Sequence, residues 1–133
     1  MRFLVLFAIL AAAFVGVASA EDPSSIEPQA LSERMESGDT ELLVLDVRSA
    51  AEFDEGHIPG AINVPHDVLG ERIAELGPAG ARDVVVYCRS GRRSAIALEA
   101  LKGAGFSRLF HLEGDYLRWS EEGRSVVRPL ARP

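Results

Sequence analysis

The stretch Val84-Val85-Val86-Tyr87-Cys88-Arg89-Ser90-Gly91-Arg92-Arg93-Ser94-Ala95 decides how the rest of the chain is read. Four β-prone residues run into a cysteine, a short loop follows, and a helix rich in Ala and Leu is expected from Ser94 to Gly103. A buried strand feeding a loop and then a helix is the repeating unit of α/β folds, and in their open sheets ligands bind beyond the carboxyl ends of the strands. Cys88 falls at that edge. A loop wrapped around a helix start aims backbone N–H groups at its centre, where the positive end of the helix dipole adds to them and creates an anion site. Gly91 lets the backbone turn without steric cost, and Arg89, Arg92 and Arg93 add positive charge. The same field favours a thiolate, so Cys88 reads as a nucleophile for an anionic substrate, with the loop amides stabilising the leaving group. The bland alternative is a buried, inert cysteine beneath solvated arginines. The loop spacing argues against it.

Outward from this stretch, strands and helices alternate. Ile26 to Pro28 reads as a short first strand, and Pro28-Gln29-Ala30-Leu31 opens a helix that ends near Gly38. Leu42 to Leu45, closed by Asp46, fits a strand buried on both faces. Ser49 and Glu52 have the spacing of a capping box, in which each satisfies an N–H that the helix start leaves free, and Gly56 ends that short helix. His57-Ile58-Pro59-Gly60 is a turn, Ala61 to Val64 a short strand, and Asp67 to Leu76 a helix stopped by Gly77-Pro78-Ala79-Gly80. Leu109 to Leu112 is a last strand, followed by a short helix through Tyr116 and Trp119; the tail from Val126 has no assignment. The pattern predicts an α/β fold with a mainly parallel sheet.

The chain has 133 residues, 47% hydrophobic and 26% charged, with 14 Lys+Arg against 20 Asp+Glu and a net charge of −6. This length allows one core. The acidic balance argues against nucleic acid as a partner, and a single cysteine excludes an internal disulfide framework and an all-cysteine zinc site. Met1-Arg2, the apolar run Phe3 to Val17 and Ala18-Ser19-Ala20 have the form of a secretory signal peptide cleaved after Ala20. The run is shorter than the roughly 20 residues that cross a bilayer, so no stable membrane anchor is expected after cleavage. The expected organisation is a leader at 1–20 and a single domain at 21–133, periplasmic or secreted. A monomer is the default for so small an acidic domain. In an oxidising compartment cysteines are usually paired, which makes an unpaired Cys88 either buried and inert or kept for its reactivity.

Four motifs in order resemble the rhodanese-like sulfurtransferases, specifically their small single-domain members: Leu45-Asp46-Val47-Arg48; Glu52-Phe53 with Gly56-His57-Ile58-Pro59-Gly60-Ala61-Ile62-Asn63; Tyr87-Cys88-Arg89-Ser90-Gly91-Arg92-Arg93-Ser94; and Leu112-Glu113-Gly114 with Trp119. The resemblance implies a five-stranded, mostly parallel sheet flanked by helices on both faces. It also implies a double displacement: Cys88 attacks the outer sulfur of thiosulfate, sulfite leaves, and the resulting persulfide passes its sulfur to a thiophilic acceptor, cyanide in the usual assay or a thiol. The implied substrate cradle is the loop from Arg89 through Ser90, Gly91, Arg92 and Arg93 to Ser94, whose hydroxyl is available to donate at the helix start, with Arg48 as a further substrate-binding residue. No cofactor is implied.

Where many members carry two consecutive glycines, this chain has Gly114-Asp115, and Asp115 is expected to face solvent or to cap the last helix. Asp46 and Arg48 read as an ion pair that orders loops, His57 as a turn residue that hydrogen-bonds backbone, Gly60 and Gly114 as turn glycines, and Trp119 with Leu117 as core packing. His66 and His111 are too scattered in sequence to be claimed as a metal set from sequence alone. Two other classes fit parts of the pattern. A phosphatase or arsenate reductase also uses a cysteine in an anion loop, but Ser94 stands where those loops place arginine, and Tyr87 where phosphatases place histidine. A partner-binding rhodanese-like module generally lacks the cysteine.

Overall fold

The computed structural model describes residues 21–129 and Ala13. The expected leader, residues 1–20, otherwise lies outside the described residues. Five strands, β1 (Ser24–Ile26), β2 (Leu42–Asp46), β3 (Ile62–Asn63), β4 (Asp83–Tyr87) and β5 (Leu109–Leu112), form one sheet in the order β1-β5-β4-β2-β3. Every pairing is parallel, so the sheet is wholly rather than mostly parallel. The helices are α1 (Pro28–Glu36), α2 (Ala50–Glu55), α3 (Leu69–Arg72), α4 (Arg92–Gly103) and α5 (Asp115–Glu121).

The alternation of a strand explains how one sequence serves two cores. Along β4 and its exit, Val84, Val86 and Cys88 join one cluster with Leu69, Leu76, Ala97, Leu98 and Leu101, the face covered by α3 and α4. Val85 and Tyr87 join the other with Leu31 and Trp119, the face covered by α1 and α5. A strand buried on both sides has to be apolar at nearly every position, which is why Val84 to Val86 forms an unbroken run.

Several boundaries differ from the sequence reading. The first strand lies earlier, at Ser24–Ile26, because its register is fixed by pairing with Phe110 to Leu112 of β5. The helix expected over Asp67 to Leu76 is only α3 and a 3₁₀ turn, Ile73–Leu76, which keeps Leu69 and Leu76 buried. Leu117 is 38% exposed rather than in the core, whereas Trp119 is buried and its Nε1–H donates to Ser125 O at 2.9 Å. The tail, unassigned from sequence, returns to the fold: Val127 and His57 exchange backbone hydrogen bonds at 2.8 and 3.0 Å.

The strand order places the site. After β2 the chain moves outward to β3, and after β4 it moves the opposite way to β5, so the connections that leave the paired carboxyl ends of β2 and β4 diverge. That divergence opens a crevice at the switch point. Asp46 to Arg48 leave β2 on one side of it and Cys88 leaves β4 on the other.

Candidate active site

Cys88 is 1% exposed, and its Sγ accepts a hydrogen bond from the Gly91 N–H at 3.0 Å. Helix α4 starts at Arg92, two residues before the expected Ser94, so the loop is only Arg89-Ser90-Gly91. Gly91 has φ +122°, a conformation other residues rarely adopt, and a Cβ there would stand 3.3 Å from Asp115 Oδ2. The first N–H groups of α4 have no partner within their helix and lie beside the loop. The loop carbonyls are taken up by another helix start: Tyr116 N–H donates to Cys88 O at 3.0 Å and Leu117 N–H to Arg89 O at 3.1 Å.

Asp115 departs most from expectation. It is 1% exposed, with φ +53°, and neither faces solvent nor caps α5. Its Oδ1 accepts from the Cys88 N–H at 3.0 Å and from the Ser94 hydroxyl at 2.8 Å, and His111 Nε2 lies 3.1 and 3.0 Å from its two oxygens. Burial alone would push its carboxyl up, but the bonds from His111, the Cys88 N–H and Ser94 outweigh that and hold it below the usual range. The hydrogen bond to Asp115 raises His111 above the ordinary imidazole value. Ser94 is therefore not a free substrate donor; it is fully buried and committed to Asp115.

The three loop arginines separate into two kinds. Arg93, expected to attract substrate, is clamped by Glu52 at 2.6 and 3.0 Å, because the α2 capping box aims that carboxylate across the crevice. Arg93 in turn lowers the Glu52 carboxyl to about 2. Arg89 and Arg92 are exposed and, among the described residues, make no ion pair; Ser90 is exposed beside them.

On the β2 side, Arg48 is 3% exposed and binds Asp46 through Nε at 3.1 Å and Nη2 at 2.6 Å. Arg48 Nη2 also donates to Gly56 O at 2.7 Å, and its guanidinium lies 4.1 Å from the Tyr116 ring centroid. These contacts fix Arg48 as a wall rather than a free cation. His57 stacks on Phe53 and bonds its carbonyl through Nδ1 at 2.9 Å. Gly60 and Gly114 take φ of +78° and +76° in turns. A cleft of about 490 Å³ runs along this wall, lined by Arg48, Glu52, Arg89, Tyr116, Leu117 and Arg128. It meets the cysteine loop at Arg89. Tyr116, Arg128 and the Asp115–His111 pair carry no local sequence signal, since each reaches the site only through packing of distant elements.

The sequence profile of the rhodanese-like domain matches residues 27–122. The chain belongs to the rhodanese-like family. This rhodanese-like chain is 37% identical over 107 residues to a sulfurtransferase from Allochromatium vinosum, covering 80% of its own length and 96% of that protein. Its fold is similar to the crystal structure of a rhodanese-related protein from Thermoplasma volcanium, with a TM-score of 0.68 and 33% identity over 80% of this chain and 99% of that one. It is also similar to a thiosulfate sulfurtransferase from Pseudomonas aeruginosa, at TM-score 0.71 and 28% identity, over 83% of this chain but 21% of the other. Such relatives identify a rhodanese-like domain of the sulfurtransferase type.

Proposed function

We propose that the protein is a thiosulfate sulfurtransferase that carries sulfane sulfur on Cys88. The observation that supports this best is the position of Sγ at the centre of a three-residue loop, under the Gly91 N–H and beside the start of α4. The Cys88 thiolate attacks the outer sulfur of thiosulfate, a new S–S bond forms, and the donor S–S bond breaks with its electron pair leaving on sulfite. The Gly91 N–H that holds Sγ, together with the N–H groups at the start of α4, then stabilises the terminal sulfur of the persulfide. A thiolate acceptor, or cyanide in an assay, attacks that terminal sulfur and returns Cys88 to the thiolate. Because Cys88 is so enclosed, a donor with a slim terminal sulfur fits an end-on approach.

Arg89 and Arg92 supply the unpaired positive charge that draws the dianion in, and the cleft beyond Arg89 admits the acceptor. Arg93 and Arg48 shape the walls through their carboxylate partners. A phosphoryl-transfer enzyme would need a free arginine gripping a tetrahedral anion; Ser94 stands in that place and Arg93 is held by Glu52. The leader expected at residues 1–20 would place a monomeric mature domain outside the cytoplasm.

Steady-state kinetics with thiosulfate and cyanide test the reading. Parallel lines in double-reciprocal plots, the mark of a covalent carrier, and loss of all turnover in Cys88→Ser are expected. Intersecting lines, or retained turnover in Cys88→Ser, would overturn it.

A further inference from the structure

The mechanism above gives the buried carboxylate of Asp115 no role. Asp115 has a positive φ that a glycine would adopt freely, and its carboxylate lies out of water. Its hydrogen bonds identify what it does there. Oδ1 joins the Cys88 N–H, at the start of the loop, to the Ser94 hydroxyl, in the first turn of α4, and Oδ2 packs under Gly91 between them. One carboxylate thus ties the two ends of the segment that surrounds the sulfur, with Gly91 close above it. The next two residues, Tyr116 and Leu117, bind the carbonyls of Cys88 and Arg89.

We propose that Asp115 is a positioning residue for the Cys88 chemistry, its buried carboxylate fixing the cysteine loop on α4 while His111 supplies the counter-charge that keeps it from opposing the thiolate. This rests on Cys88 being the reacting group of the proposed function. A lone carboxylate this close behind a thiolate disfavours the second negative charge; a protonated imidazole on the carboxylate cancels that effect. Among the groups around it, His111 is the one able to carry positive charge that bonds the Asp115 carboxylate directly. Its register partner on β1 is Ser25 and on β4 Val86, both uncharged. On its own turn Glu113 lies 3.9 Å from Arg118. From α4 the inward group is Ser94, and Arg93 is engaged by Glu52. The thiol of Cys88 completes the set.

The charges of His111 and Cys88 are then coupled, and coupling is reciprocal. In the full chain, the His111 imidazole titration is followed by NMR in wild type and in Cys88→Ser. Loss of the thiolate is expected to lower the His111 midpoint by about threefold or more in proton affinity. Asp115→Gly, which suits the backbone, is expected to slow persulfide formation at saturating thiosulfate by about tenfold or more. Asp115→Asn, which keeps an acceptor for Cys88 and Ser94, is expected to restore most of that rate. Uncoupled titrations, or a folded Asp115→Gly with the wild-type rate, would overturn the proposal. Where Asp115→Gly does not fold, the two titrations decide. They need no sulfur donor, so coupled titrations in a protein that takes no sulfur from thiosulfate would remove the proposed reaction and leave this inference standing.

Discussion

Replacing Arg48 by methionine leaves the carboxylate of Asp46 buried without its cation. The side chains of the pair are 4% and 0% exposed, and Asp46 accepts from both Nε and Nη2, so water has no access to take over the lost contacts. Breaking a buried pair from one side costs about 3–5 kcal/mol, against about 5–15 kcal/mol for the whole of a domain's stability. The lost bond to Gly56 O and the lost stacking on Tyr116 act in the same direction, though not additively. With a urea slope of about 2 kcal/mol/M, the unfolding midpoint of Arg48→Met is expected to fall by about 2 M. The double variant Asp46→Leu/Arg48→Met is expected to recover part of the loss, since no unpaired charge remains. Equilibrium urea unfolding at neutral pH, followed by tryptophan fluorescence from the buried Trp119, reads both. A loss below about 1 kcal/mol in Arg48→Met, the size of a surface pair, would refute the reasoning.

Three further outcomes follow from the same geometry. Glu52 has its folded-state carboxyl lowered to about 2, so its stabilising contribution is full above the ordinary carboxylate value and disappears as pH falls toward 2; the stability gap between wild type and Glu52→Gln should close over that window, and a gap independent of pH would contradict the clamp on Arg93. A Cβ at Gly114 would clash with the Arg118 side chain, at a φ of +76°, so Gly114→Ala should lose about 1–3 kcal/mol in urea unfolding; an unchanged midpoint would show that α5 shifts freely. Arg89 and Arg92 act through unpaired charge, so persulfide formation should slow as ionic strength rises and depend less on salt in Arg89→Gln; a flat wild-type response would remove their steering role.

What the sequence disclosed was local, and what it concealed was a matter of distant packing. The capping box of Ser49 and Glu52 could be read because its partners are three residues apart, and it is present. The unbroken apolar run into Cys88 announced a central strand because both its faces are buried. Asp115 followed a glycine at a helix start, where local rules favour a cap, yet it turns inward because β5 delivers it beneath a loop 27 residues earlier in the chain. Glu52 reaches Arg93 across 41 residues, and the tail pairs with His57 from the far end of the domain. No periodicity encodes such meetings; they appear only when the strand order brings the elements around the crevice together. The sequence motifs therefore located the Cys88 loop, while the division of its arginines into unpaired and clamped needed the fold.

The central claim is that Cys88 carries sulfur. Its most direct test is the intact mass of the purified protein before and after thiosulfate, then after a reductant, with Cys88→Ser treated alongside. A gain of one sulfur atom that the reductant removes, and that Cys88→Ser does not show, is the expected result. An unchanged mass, with Cys88 shown to be free and reduced, would contradict thiosulfate as the donor, and a gain retained in Cys88→Ser would contradict Cys88 as the carrier.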